Sequence, residues 1–231
     1  MLRRRAPAIA GRFVLLEELG RGGCGTVHRA RDLRLKRYVA AKVARDPDAR
    51  ARLALERAHG VVHPHVLAAE DWAEDGGTSL LAMELVSGGT LRDLVASQGR
   101  LPEATVALLL GQLLDALVAV HDRGLVHGDV KPANLLLRDG VRPHLLLADF
   151  GVATRGGAGP VEGTPAYLAP ERLAGAAPDP SQDVYAAGLL GRRVLHGCSP
   201  LLTLCDSMTR PEPLLRPSAA AALRRLRELT G

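Results

Sequence analysis

The apolar residues of this chain are spaced in two different ways. Up to about residue 86 they come in short runs of strand character: Arg12–Leu19 (RFVLLEEL) ending at Gly20, Arg37–Val43 (RYVAAKV), Leu67–Trp72 and Ser79–Leu85, the last two on either side of an acidic Gly76-Gly77 turn. Asp48–Ala58 interrupts them with helical composition. From Thr90 the spacing lengthens. A short helical segment runs to Gln98, and a long one is predicted over Pro102–Asp122, where Leu108, Leu109, Gln112, Leu113, Ala116, Leu117 and Val120 trace one apolar face and Pro102 suits a first turn. The C-terminal AAAALRRLREL is helical by propensity. Inside this second region Leu135–Leu137 and Leu145–Leu147 flank an Asp139-Gly140 turn signal and read as a β-hairpin.

The hairpin carries the first chemistry. Residues just outside the two strands of an antiparallel hairpin lie at the same end, so Asn134 and Asp149 are expected side by side. A carboxylate and an amide oxygen form a hard-oxygen half-shell that suits Mg²⁺ when substrate phosphates and water complete the octahedron. Asp129 and Lys131 lie just upstream, in a loop that Gly128 and Pro132 keep from becoming helix. Near the amino terminus Gly20-Arg21-Gly22-Gly23-Cys24-Gly25-Thr26-Val27 lets backbone N–H groups approach a polyphosphate. A dinucleotide-binding turn would open a helix, whereas β-compatible sequence follows here, so the glycines form a flap between two strands with Cys24 as a small residue near its tip. Lys42 sits inside an apolar strand and needs an anion, because burying an unpaired ammonium is costly.

These motifs, in this order, resemble a serine/threonine protein kinase catalytic domain of the bacterial, eukaryotic-like type. His127, Asp129 and Asn134 match the catalytic-loop pattern H-R-D-x-x-x-x-N with Gly128 in place of its Arg, Asp149-Phe150-Gly151 matches D-F-G, and Val39-Ala40-Ala41-Lys42 matches V-A-x-K. Ala169-Pro170-Glu171 resembles A-P-E, Asp183–Gly188 the helix start that supports the catalytic loop, and Arg216-Pro217-Ser218 the closing element whose arginine pairs with Glu171. Lys131-Pro132 resembles the serine/threonine branch. The resemblance covers about Arg12 to Leu229 and implies an α+β bilobal fold. Residues 1–11 would be a tail, residues 12–86 a nucleotide-binding lobe of small antiparallel sheet plus one helix, and residues 87–231 a mainly helical lobe with a shortened C-terminal region.

The resemblance also assigns roles. ATP would be contacted by Leu19, Gly20, Gly22, Gly23, Cys24, Gly25, Val27, Ala40, Lys42, Met83, Glu84, Val86 and Leu136, with Met83 as gatekeeper and the backbone of Glu84 and Val86 against the adenine edge. Asn134 and Asp149 would hold Mg²⁺, or Mn²⁺ in its place, Asp129 would orient the substrate hydroxyl and accept its proton, and Lys131 would stabilise the transferring charge. Glu56 would be the helix partner of Lys42, a solvated surface glutamate being the alternative, and His127 is a packed structural histidine.

Composition narrows the setting. The 231 residues are 47% apolar, enough for a sizeable core, and the net charge of +5 comes from arginines spread along the chain, a weak preference for acidic partners rather than nucleic-acid binding. MLRRRAPAIAGR lacks the apolar core of a signal peptide, and no run reaches the roughly 18 apolar residues that span a bilayer. With three unpatterned cysteines, the expectation is a cytoplasmic protein. The partner would be a protein with a Ser or Thr acceptor, and the oligomeric state is open. The intact Lys42, Asp129, Asn134 and Asp149 disfavour a non-catalytic kinase-like module, and A-P-E with Lys131-Pro132 disfavours a small-molecule phosphotransferase. Two departures stand out. Gly188–Arg216 is short, with room for the end of one helix and little else, so the usual substrate-docking helix is expected to be missing, and Gly128 removes the arginine that reads a phosphorylated activation segment.

Overall fold

The computed structural model describes residues 8–22, 25–154, 162–195 and 199–231. The chain divides into two compact units, Met1–Gly60 with Leu67–Val86, and Val61–Val66 with Ser87–Gly231.

The first unit is an antiparallel sheet of five strands, β1 (Phe13–Gly22), β2 (Gly25–Asp32), β3 (Arg37–Ala44), β4 (Ala69–Asp75) and β5 (Thr78–Met83), in the order β1-β2-β3-β5-β4. One helix, α1 (Pro47–His59), is capped by Asp46, whose side chain accepts from the backbone N–H of Asp48 and Ala49. Alternation gives the sheet two characters. Val39, Ala41 and Val43 pack with Leu80 and Ala82, and with Phe13, Ala30 and Ala73, into an apolar cluster. The intervening positions face the other way: Ala40 pairs with Met83, Lys42 with Leu81 and Ala44 with Ser79. Residues 8–11 are tied to this unit: Ile9 bridges to Phe13 and the N–H of Ala10 donates to Asp75 at 2.8 Å.

The second unit is helical around one hairpin. Its helices are α2 (Leu91–Gln98), α3 (Glu103–His121), α4 (Pro170–Leu173), α5 (Pro180–Val194), α6 (Pro200–Met208) and α7 (Ala219–Thr230), and the hairpin is β6 (Leu135–Arg138) with β7 (His144–Leu147). Thr90 and Asp93 form a reciprocal capping box that starts α2. By length and composition α3 could cross a membrane, but nine of its residues, from Val106 to Val120, are buried in this unit's core, as in the core helix of a folded domain. Residues 61–66 join the unit through a parallel bridge from Val66 to Leu147 and a 2.9 Å bond from the N–H of Leu147 to the carbonyl of His65.

The stretch from Gly188 to Arg216 holds more than was expected of it. Beyond α5 it forms a further helix, α6, capped by Ser199 and burying Leu201, Leu204, Cys205 and Met208. Gly188 and Gly191, one turn apart on α5, make the room: a Cβ on Gly188 would lie 2.6 Å from Cβ of Met208, and one on Gly191 would strike the Cys205 sulfur. Burial pushes the Cys205 thiol up to about 12.

Candidate active site

In the first unit Gly22 pairs with Gly25 at the end of the β1–β2 hairpin; Gly23 and Cys24 lie outside the described residues. Gly25 has φ +118°, and a Cβ there would run into the carbonyl of Val43, so the close approach of β2 to β3 requires glycine. Gly20 and Gly22 face open space. Val27 pairs with Lys42, and Ala40 with Met83, so Val27, Ala40, Lys42 and Met83 share one face of the sheet. Leu19 is exposed on β1, and Glu84 and Val86 are half-buried just after β5. The ammonium of Lys42 donates to Glu56 Oε2 at 2.6 Å, and both side chains are buried. The strand thus supplies the cation and α1 the anion, which meets the cost of burying either alone.

In the second unit the hairpin register pairs Leu135 with Leu147, and the N–H of Ala148 donates to the carbonyl of Asn134 at 2.9 Å. Asp149 follows directly, with φ +68°. Leu136 is half-buried opposite Leu146. Asp129 is the hub. Its Oδ2 accepts from Lys131 Nζ at 2.6 Å and from Asn134 Nδ2 at 3.1 Å, and its Oδ1 accepts from both the N–H and the hydroxyl of Thr164 at 2.9 Å. Lys131 also donates to the Thr164 hydroxyl at 2.8 Å. Asn134 Nδ2 donates in addition to the backbone carbonyl of Asp129 at 2.9 Å, which fixes the amide so that its oxygen is the ligand-type atom.

A second layer holds the loop. The buried carboxylate of Asp183 accepts from the N–H groups of His127 and Gly128 at 2.8 and 2.9 Å and faces His121 Nε2 at 2.9 Å. Burial alone would push the pKa of Asp183 up; the hydrogen bond and charge of His121, the charge of His127 and the Gly128 N–H outweigh that and hold it below the usual carboxylate value. His127 is packed, its Nε2 3.1 Å from the carbonyl of Ala148 and its ring edge-on to Phe150. The ion pair expected between Glu171 and Arg216 is present and bidentate, at 2.6 and 2.8 Å. Sequence reasoning had no role for His121 and left the contacts of Thr164 unspecified; a histidine in the last turn of a core helix, which needs a polar partner, was the available signal for the first.

Among the described residues no group of three or more His, Cys, Asp or Glu side chains is placed to hold a metal by itself. The hairpin register sets Asn134 and Asp149 just beyond the same end of the two strands.

The sequence profile of the protein kinase domain matches residues 13–211. The chain belongs to the protein kinase family. Among curated relatives it is 39% identical over 202 residues to serine/threonine-protein kinase PknL of Mycobacterium tuberculosis, covering 82% of this chain and 50% of that protein. It is 38% identical to serine/threonine-protein kinase pkn2 of Myxococcus xanthus, covering 87% of this chain and 26% of that one. Against serine/threonine-protein kinase PknB of Mycobacterium leprae the identity is 35%, over 85% of this chain and 34% of the relative. This kinase-family chain thus spans about half the length of PknL and less of the others.

Proposed function

We propose that the chain is a serine/threonine protein kinase domain that moves the γ-phosphoryl group of ATP to a protein hydroxyl with Mg²⁺. The observation that carries this reading is the Asp129 carboxylate, held by Lys131, Asn134 and Thr164 with all four bonds at 3.1 Å or less. A carboxylate fixed this way can accept the proton of an incoming hydroxyl without reorganising first. Lys131, already bonded to both Asp129 and Thr164, carries the positive charge that a transferring phosphoryl group needs nearby. The amide oxygen of Asn134 and the carboxylate of Asp149 would hold Mg²⁺, with Mn²⁺ suited to the same oxygen set; the ion supplies charge neutralisation at the phosphates. In the first unit Lys42, oriented by Glu56, would bind phosphate oxygens, and the open space above Gly20 and Gly22 suits backbone contacts to the same groups. The Lys131-Pro132 pair and the PknL, pkn2 and PknB relatives support a Ser or Thr acceptor.

The test is phosphoryl transfer from labelled ATP to a basic protein substrate, with identification of the acceptor amino acid. The parent is expected to label Ser or Thr only when Mg²⁺ or Mn²⁺ is present, and Asp129→Asn to lose about 10² to 10⁴ in rate while still folding. Transfer by Asp129→Asn within threefold of the parent, or a parent that labels no protein, would refute the proposal.

A further inference from the structure

Helix α1 matters to the proposed reaction because it carries Glu56, yet little apolar surface holds it in place. Of its thirteen residues only Leu53 and Glu56 are buried. With Leu53 as its one fully buried apolar side chain, the register of the helix depends on directional polar contacts, and a shift of about 1.5 Å, one residue's rise, would take a carboxylate out of hydrogen-bond reach of its partner.

A second polar tie lies two positions along the same sheet face. Ser79 is fully buried and pairs with Ala44, two residues from Lys42 on β3, and its own strand neighbour Leu81 pairs with Lys42. Side chains of directly opposed residues point the same way, so the Ser79 hydroxyl and the Lys42 ammonium emerge from one face toward α1. Arg50 Nε donates to Ser79 Oγ at 3.0 Å, and Ser79 donates onward to Glu74 Oε1 at 3.3 Å. Glu74 lies 3.8 Å from Arg50 Nη2 and closes the triangle across β4, β5 and α1. Arg50 and Glu56 are six residues apart, about 9 Å along the helix, with Leu53 midway on the same side. Near the end of the helix Arg57 lies over the Trp72 ring at 5.4 Å, a looser contact with no directional bond.

We propose that Arg50, through Ser79, is a positioning residue: it fixes the rotation and axial register of α1 in which Glu56 meets Lys42. The inference rests on the proposed phosphoryl-transfer function for its consequence and on the sheet geometry for its substance. The Arg50–Ser79 bond and the Glu56–Lys42 pair are directional anchors about two turns apart on the helix, and together they define its rotation and its axial position.

Arg50→Met and Ser79→Ala remove the tie while leaving Lys42 and Glu56 intact. Each is expected to lower kcat/KM for ATP about fivefold to tenfold, and the loss is expected to shrink to under about twofold in a Glu56→Gln background, where no pair remains to be positioned. Arg50→Lys, which keeps one donor, recovers part of the loss. Labelling of Lys42 by an amine-directed acylating reagent, read by mass spectrometry without nucleotide, should rise in Arg50→Met and Ser79→Ala as the ammonium is released from Glu56. Equal losses in both backgrounds with unchanged Lys42 labelling would overturn the proposal and leave Arg50 a stabilising contact only. A parent without kinase activity whose Lys42 labelling still rises on substitution would refute the functional reading and leave the positioning role standing.

Discussion

His65 occupies the middle of three imidazoles, its ring centroid 5.8 Å from that of His63 and 4.7 Å from that of His144. Its Nδ1 faces the carbonyl of Leu145 at 3.0 Å and therefore carries the proton, while its backbone N–H donates to His63 Nδ1 at 3.2 Å, so that His63 must keep that nitrogen unprotonated. Burial, then the charges of His144 and His63, hold the pKa of His65 below its ordinary 6.5, against the Leu145 carbonyl and Asp115, which raise it. A histidine with a depressed folded pKa leaves the unfolded chain to take up its proton first. Its contribution is therefore present above 6.5 and is lost as pH falls from there through the folded value. His65→Asn keeps an N–H for Leu145 and removes the titration, so urea unfolding at about pH 7.5 and 5.5 should show a smaller loss for the variant than for the parent. An equal loss in both would assign the acid sensitivity elsewhere. This cluster was not legible in the sequence, because His63 and His65 meet His144 only through the docking of residues 61–66 on β7. Lys42, Asp129, Asn134 and Asp149 were legible as candidates, since a lysine in an apolar strand and polar residues at hairpin ends each pose a solvation problem that local sequence displays.

At the scale of elements the hairpin and the two glycines of α5 illustrate the same limit. The β6–β7 register follows from alternation and a turn signal, both local, and the strands pair Leu135–Arg138 with His144–Leu147. Helix α6 is carried by the pattern of this stretch rather than by its length: Leu201, Leu204, Cys205 and Met208 have the spacing of a buried helical face, and Ser199-Pro200 is a capped start. Fitting it into a short stretch required α5 to give up side chains at Gly188 and Gly191, a choice visible only as a helix with glycines in its interior. Gly188→Ala gains up to about 1 kcal/mol of helix propensity but forces a methyl against Met208 Cβ and the carbonyl of Cys205, an overpacking cost of about 1–3 kcal/mol. The expected net result is destabilisation, seen as a lower urea midpoint at unchanged slope. A raised midpoint would mean that α6 sits farther from α5.

At the scale of the whole molecule, the ordered series of motifs identifies the family from sequence, and the described contacts on either side of residues 155–161 support a prediction about phosphate on the activation segment. Kinase activation segments are commonly ordered by a phosphate of about −2 charge that pairs with arginines, one of them the residue before the catalytic Asp. Here that residue is Gly128, with φ +78°. Residues 155–161 lie outside the described residues, but the segment is anchored on both sides of them by contacts that need no phosphate. Thr154 and Val126 exchange backbone bonds at 2.8 and 3.0 Å, and Thr164 is bound to Asp129 and Lys131. Arg193 lies 4.4 Å over the Tyr167 ring and donates to the carbonyl of Ala166 at 2.9 Å. Beyond them Glu171 meets Arg216, whose guanidinium also donates to the carbonyls of Ser181, Arg210 and Pro211. The proposed kinase activity is therefore expected without phosphate on this segment. The competing arrangement has Thr154 modified and read by another basic residue, such as Arg123 or Arg155, the latter outside the described residues. Phosphatase-treated protein and Thr154→Ala, assayed on an added protein substrate, decide between them: initial rates within about threefold of the untreated parent support phosphate-independent ordering. A loss of tenfold or more, about 1.4 kcal/mol on the barrier, would mean that phosphate orders the segment after all.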